Sequence, residues 1–252
     1  MPEGTQLYLE LLKKILTNVI YQDPTFPDPA AEHGISGYRD DIREIGLDWP
    51  TVAHTMVGRK RLDNVHWAVE KVLEDEVPGD FVETGVWRGG VCILIRAILQ
   101  AHGVTDRTVW LADSFEGMPV TGEESHEADR RLAVHRYNHV LAVSLETVKE
   151  NFARYGLLDD KVKFLKGWFK DTLPTAPPGP LAVIRLDGDL YESTTDALVN
   201  LYPRLSPGGF AIIDDYAIGA CREAVHDYRA TFGIKDEIVP IDTFGVYWRR
   251  TD

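Results

Sequence analysis

The chain has 252 residues, 44% of them hydrophobic and 27% charged, a balance that fits a folded globular protein and excludes a mostly disordered one. Lys+Arg 27 against Asp+Glu 40 leave a net charge of −13, which disfavours a binder of duplex nucleic acid, because such a protein needs a basic face. No apolar run is long enough for a membrane span, and Cys92 and Cys221 are too few for a disulfide framework or a Cys-rich zinc site, so packed thiols in a reducing cytoplasm are expected.

In chain order, residues 5–21 place Tyr8, Leu11, Leu12, Ile15 and Val19 at helical spacing. Pro24, Pro27 and Pro29 then break the pattern, and 22–45 reads as a loop or arm. A helix starting near Thr51 or Gly58 and ending at Leu73 turns Val65, Val69 and Val72 inward. Short strands follow at Phe81–Glu83, Thr108–Leu111, Val162–Leu165, Leu181–Leu186 and Phe210–Ile213. Helices separate them at Val91–Leu99, Leu145–Tyr155, Thr194–Leu205 and, after the fifth strand, Cys221–Phe232. Residues 117–143 are a polar, irregular insert suited to a lid over an acceptor. Glu237–Ile241 and Val246–Arg249 close the chain as a hairpin. Alternating strands and helices predict an α/β fold with a mostly parallel sheet covered on both faces. Two regions are expected: 1–76, helices and an arm packing on the core, and 77–252, the sheet domain with its lid insert. Ligands of such sheets bind at the carboxyl ends of the strands.

The chemistry at those ends is uneven. The first reads Glu83-Thr84-Gly85-Val86-Trp87-Arg88-Gly89-Gly90. It is neither G-x-G-x-x-G nor a phosphate loop, and its acidic residue suits a ligand bearing a positive amine. Asp113, ending the second strand, is where a carboxylate would hold a ribose diol. Trp168, after Gly167 at the third end, could stack on a purine. The fourth end carries Asp187 and Asp189, the fifth Asp214 and Asp215. Four carboxylates at one sheet edge repel, and a hard cation resolves the conflict. An oxygen-only donor set favours Mg²⁺, Mn²⁺ or Ca²⁺ over Zn²⁺. Asp214 and Asp215 can both serve only if the chain turns there, since neighbours along a strand point oppositely.

These residues resemble the class I S-adenosylmethionine-dependent methyltransferases, and more closely the macrocin O-methyltransferase family of sugar methyltransferases in macrolide and aminocoumarin antibiotic biosynthesis. The resemblance runs through nearly the whole chain: Tyr8–Leu12, Pro50–Met56, Glu83–Gly90, Ala112–Phe115, Gly167–Thr172, Asp187–Asp189 with Tyr191, and Ser206–Tyr216. It implies a seven-stranded Rossmann-like sheet of order 3-2-1-4-5-7-6. It implies that Glu83 and Gly85 hold the methionyl part of the cofactor, within a binding segment that includes Thr84, Arg88 and Gly89. Asp113 would hold the ribose hydroxyls, with Ser114 beside the ribose or adenine; Gly167 and Trp168 would border the adenine; Thr55 and Met56 would cover the cofactor. Asp187, Asp214 and Asp215 match the family's metal ligands, with Asp187 also beside the cofactor. Trp49, His139 and Tyr191 are candidates for acceptor contacts, and family members are typically homodimers or higher homo-oligomers.

The implied reaction moves a methyl group to a sugar hydroxyl of a glycosylated small molecule, with a cation lowering the hydroxyl pKa. Asp187 is the first candidate for the base and Asp189 the second, with Lys170 and His139 behind them. Three readings compete. A nicotinamide-dependent oxidoreductase lacks its glycine fingerprint here, a non-catalytic homologue would not need four aspartates, and a catechol or phenol acceptor offers a similar metal-binding diol.

Overall fold

The computed structural model describes residues 3–27 and 36–252; the expected arm at 22–45 therefore lies partly outside the described residues. Helix α1 (Glu3–Leu16) buries Leu9, Leu12 and Leu16. It stops short of the expected residue 21 because Thr17 turns its hydroxyl back onto the Lys13 carbonyl at 2.9 Å and Asn18 adopts a left-handed backbone (φ 53°). A short α2 (Asp40–Ile45) ends at Gly46 with φ 66°. Helix α3 (Arg59–Glu74) begins after Gly58 and buries Val65, Val69 and Val72, as the spacing predicts.

The sheet follows. Strands β1 (Asp80–Thr84), β2 (Val109–Asp113), β3 (Val162–Lys166), β4 (Leu181–Leu186) and β5 (Leu205–Ile213) alternate with α4 (Gly90–Ala101), α5 (Leu145–Arg154) and α6 (Tyr191–Leu201). Helix α7 (Gly219–Phe232), β6 (Val239–Pro240) and β7 (Val246–Arg249) complete the chain. The order is β3-β2-β1-β4-β5-β7-β6, and β7 runs antiparallel to β5 and β6. This is the order the resemblance implies, and it reverses between β1 and β4, the kind of switch point at which such sheets bind ligands.

Side chains alternate across the sheet with a period of two. Phe81, Leu111, Val183 and Ile212 face α1, α3, α4 and α5. Val82, Ala112, Ile184 and Ala211 face α6 and α7. Each large aliphatic side chain so buried contributes about 1.5–3 kcal/mol. Helix α4 is buried on nearly every side, which is why its sequence reads as a continuous apolar run rather than a stripe. The N-terminal helices share this cluster with the sheet: Leu9, Leu12, Leu16 and Leu62 pack with Phe81 and Ile93.

Further boundaries differ from expectation. Helix α6 ends at Leu201, and Pro203 sits in a 3-10 turn. Strand β5 then begins at Leu205, not at Phe210, because Ser206–Gly209 does not break the strand. Those residues form an irregularity, with Leu181 opposite Leu205 but Val183 opposite Phe210, anchored by a bond from the Ser206 hydroxyl to the Pro78 carbonyl (2.7 Å). The hairpin's first strand keeps only two residues, consistent with Pro240 at a sheet edge. No helix among the described residues is long and apolar enough to cross a membrane.

Candidate active site

One backbone ladder lines up the strand ends. Gly167 N–H donates to the Asp113 carbonyl (2.9 Å), Gly85 N–H to Ala112 (2.9 Å), Asp187 N–H to Thr84 (3.0 Å) and Asp214 N–H to Leu186 (2.9 Å). Each parallel pair thus continues past its strand, and the candidate residues sit side by side along one edge. Gly85 has φ 75°, and a Cβ there would lie 1.7 Å from the Asp187 carbonyl oxygen. No other residue fits, because the loops after β1 and β4 touch through their backbones.

On the β1–β2 side the loops are held by their own backbone. The Asp113 carboxylate accepts from Val86 N–H (2.8 Å) and Phe115 N–H (2.7 Å); burial nevertheless raises its pKa. Ser114 Oγ donates to the Gly117 carbonyl (2.8 Å) and accepts from Glu116 N–H (3.0 Å), which shapes the turn. Arg88 grips three carbonyls of the preceding segment: Pro50 (3.1 Å), Thr51 (3.0 Å) and Ala53 (2.7 Å). Gly90 packs against His54 and Thr55 so closely that a Cβ would meet the His54 carbonyl oxygen at 2.4 Å. Thr55, buried, accepts from Val57 N–H at 3.0 Å, and Met56 is half-buried beside it. Glu83 and Thr84 are buried within β1. Gly167 takes φ 138°, and the half-buried Trp168 opens a helical turn at Phe169–Thr172.

The β4–β5 side is built from charge. Strand β5 ends at Ile213 and the chain turns at once, which meets the condition for Asp214 and Asp215 to face one point. One carboxylate oxygen from each of Asp187, Asp214 and Asp215 lies within 4.8 Å of the others. Asp189 adopts φ 55°, and its N–H donates to Asp215 (3.1 Å). Two buried arginines stand among these acids. Arg185, from β4, pairs with Glu83, Asp187 (3.0 Å) and Asp214. Arg61, from α3, pairs with Asp214 and with Asp242 (3.2 Å). Glu83 also accepts from the Cys92 thiol at 2.8 Å.

The two guanidiniums do not balance the acids. Asp214, between both arginines, stays below the usual carboxylate range despite its burial. Burial pushes Glu83 up to about 7 even with Arg185 against it. Asp187 is pushed up to about 6 by burial, against the pull of Arg185. Asp189 rises to about 7 by burial and by repulsion from Asp187 and Asp214, and Asp215 is raised by burial and by repulsion from Asp189, Asp187 and Asp214. Oxygen donors converging with excess negative charge fit a hard divalent cation.

Of the acceptor candidates, Trp49 is half-buried and meets Tyr137 of the insert edge-on at 5.2 Å. His139 is exposed on the insert. Tyr191 opens α6, stacked on His126 and donating to Asp227 (3.0 Å). The weaker base candidate Lys170 is exposed in the turn after Trp168. Arg61 and Arg185 escape a reading based on strand ends. Arg185 did leave a signal, as the one charge in the apolar run Leu181–Leu186; Arg61 left none, because it lies in the basic run Arg59-Lys60-Arg61.

Comparison with known proteins settles the family. The model of the macrocin O-methyltransferase family matches residues 5–250. The chain is 65% identical over 250 residues to the 8-demethyl-8-(2,3-dimethoxy-alpha-L-rhamnosyl)-tetracenomycin-C 4′-O-methyltransferase of Streptomyces olivaceus, covering 99% of this chain and 94% of the relative. It is 58% identical over 250 residues to the mycinamicin III 3″-O-methyltransferase of Micromonospora griseorubida, covering 98% of each. The solved structure of the O-methyltransferase NovP superposes with a TM-score of 0.94 at 56% identity, covering 98% of this chain and all of that one. A family match over nearly the full length and relatives more than half identical agree with the strand order: the chain belongs to the macrocin O-methyltransferase family and is an S-adenosylmethionine-dependent O-methyltransferase.

Proposed function

We propose that the chain methylates a sugar hydroxyl of a glycosylated natural product, of macrolide or aminocoumarin type, in antibiotic biosynthesis, with a divalent cation, Mg²⁺ first, held by Asp187, Asp214 and Asp215. The observation that carries the metal reading is the convergence of those three carboxylates within 4.8 Å amid more acids than Arg61 and Arg185 neutralise. The names of the relatives, which include a rhamnosyl 4′-O- and a mycinamicin 3″-O-methyltransferase, support a sugar acceptor.

When bound, S-adenosylmethionine supplies the methyl group and the cation supplies Lewis acidity toward the acceptor hydroxyl. Asp187 takes the hydroxyl proton, with Asp189 as the second candidate. Without a cation, burial and crowding raise both carboxyls; a cation beside them would favour the ionised form that can accept a proton. Arg185 and Arg61 keep Asp214 ionised, so it remains a donor at any neutral pH. Asp113 orients the ribose with the lone pairs its two backbone bonds leave free, and Gly167 and Trp168 border the adenine. Gly85 and Gly89 let the loop backbone approach the methionyl part. Glu83 and Thr84 support that loop from within β1, where Glu83 already holds Arg185 and Cys92. Arg88 acts through the segment it grips, fixing Thr55 and Met56 over the cofactor. Trp49, His139 and Tyr191 border the acceptor. Leu7, Leu11 and Ile15 are exposed along one face of α1, and that apolar stripe supports a homodimer or higher homo-oligomer.

The test is calorimetric titration with S-adenosylhomocysteine, with and without Mg²⁺, followed by a demethyl deoxysugar glycoside. Micromolar cofactor binding with Mg²⁺-dependent glycoside binding is expected. Glycoside binding indifferent to Mg²⁺ would overturn the metal reading.

A further inference from the structure

Helix α6 begins two residues after Asp189, and its cap residue Leu190 has no side chain that can bond the first amides. Those amides are satisfied from the insert instead. Asp129, 0% exposed, accepts from Tyr191 N–H at 2.6 Å with one oxygen and from Glu192 N–H at 3.1 Å with the other. The contact is returned: Glu192 accepts from His126 N–H at 2.7 Å, and the His126 ring lies flat on Tyr191, 3.6 Å between centroids and 8° apart. The helix start is thus capped reciprocally by residues more than sixty positions away in the chain. A carboxylate at a helix N-terminus is favoured by the helix dipole as well as by its two bonds.

The loop just before this cap is tight. Leu190 N–H reaches the Gly188 carbonyl at 2.5 Å, and Asp189, although not glycine, is left-handed at φ 55°. Such a turn persists only when its surroundings hold it. Asp129 grips the residues that follow it directly. The other end of the insert is fastened to the cofactor side, where the Trp87 indole donates to the Val140 carbonyl (3.0 Å) and Asn138 brackets Met118 by its N–H (2.8 Å) and its carbonyl (2.9 Å). The insert therefore spans from the loop after β1 to the loop after β4.

We propose that Asp129 is a positioning residue: by capping α6 from the insert it holds the Asp187–Leu190 loop in the shape that aims its carboxylates, so that insert docking and loop shape form one equilibrium. The chemical consequence rests on the function proposed above; the coupling itself rests on the contacts. Coupling is reciprocal, so loosening the insert loosens the loop.

Hydrogen exchange on the full-length, metal-free protein reads this directly. In Asp129→Ala the hydrogen-bonded amides of Asp189 and Leu190 should exchange about tenfold faster than in the wild type, the scale of a lost helix cap. Asp129→Asn keeps an acceptor oxygen and should stay within about threefold, which also guards against general misfolding. Calorimetry should show about tenfold weaker Mg²⁺ binding in Asp129→Ala, with S-adenosylhomocysteine affinity within about twofold of wild type. Faster exchange confined to insert residues 118–137, with unchanged loop amides and Mg²⁺ affinity, would overturn the proposal and leave Asp129 a local cap. A wild type that binds no Mg²⁺ would contradict the metal reading instead, and the loop amides alone would then decide the coupling.

Discussion

The two halves of the site edge are built by different means. After β1 and β2 the loops are organised by backbone: glycines at positive φ and one carboxylate, Asp113, that collects the N–H groups of Val86 and Phe115. After β4 and β5 they are organised by side-chain charge, with Asp187, Asp189, Asp214 and Asp215 pressed around Arg185 and Arg61. The first half is a cradle whose form needs no ligand to balance it. The second carries more negative charge than its arginines offset, and its acids other than Asp214 are pushed toward protonation. The difference teaches where a bound partner would matter to the protein: binding at the backbone half would add contacts, whereas a cation at the charged half would also relieve repulsion.

The sharpest way to separate the halves is Asp187→Ala. Turnover should fall by at least about a thousandfold as ligand and base are lost together, while S-adenosylhomocysteine affinity stays within about threefold. Initial rates and calorimetry on one preparation check both, and near-normal turnover would remove Asp187 from its role. Next in size is Gly85→Ala, which strikes both halves at once. The added Cβ would sit 1.7 Å from the Asp187 carbonyl oxygen at φ 75°, so about 3 kcal/mol or more of stability should be lost, and both cofactor and Mg²⁺ binding should weaken. A melting curve close to wild type would show that the loops can part.

A smaller effect distinguishes the halves by pH. Glu83 and Asp189, near 7, and Asp187, near 6, titrate above the ordinary carboxylate range. Between that range and about pH 7 the folded protein holds protons that the unfolded chain has released. These acids should therefore make the stability of the metal-free protein fall as pH rises from about 4 to 7, partly offset by His54 and His66, whose lowered pKa values act in the opposite sense. Saturating Mg²⁺ favours the ionised acids and should flatten the slope. Melting temperatures across that range, with chelator and with Mg²⁺, measure it; a slope unchanged by Mg²⁺ would mean that the charged half binds no cation. Smallest is Arg88→Lys, confined to the backbone half. Lysine cannot bridge the three carbonyls of Pro50, Thr51 and Ala53, so the KM for S-adenosylmethionine should rise about tenfold with kcat within about threefold.

The halves also differ in how far they could be read from the chain. The β1 motif, Asp113 and the paired aspartates are legible because strand ends in an alternating α/β pattern are where chemistry collects, and the turn at Asp214 then brings the acids together. Strand order came through family resemblance, not periodicity, since periodicity carries no information on which strands pair. The start of β5 is not legible, because Ser-Pro-Gly-Gly reads as a break, while an irregular strand can absorb it. Arg61 and Asp129 were invisible for a shared reason. Each acts on a partner far away in sequence, Asp214 and Tyr191, and only the folded chain shows that a surface-type charge is buried. The insert reads as a polar lid; in the structure its polar residues are the cap and clasp that dock it.

The central claim is that the charged half holds a cation that methyl transfer requires. Its most direct test is methyl transfer from labelled S-adenosylmethionine to a demethyl macrolide or aminocoumarin glycoside, after exhaustive chelation and again after Mg²⁺ is restored, with the product located by mass spectrometry. No turnover is expected in chelator, with recovery on adding Mg²⁺ and the methyl group on a sugar hydroxyl. Full turnover in the chelated protein would contradict the claim.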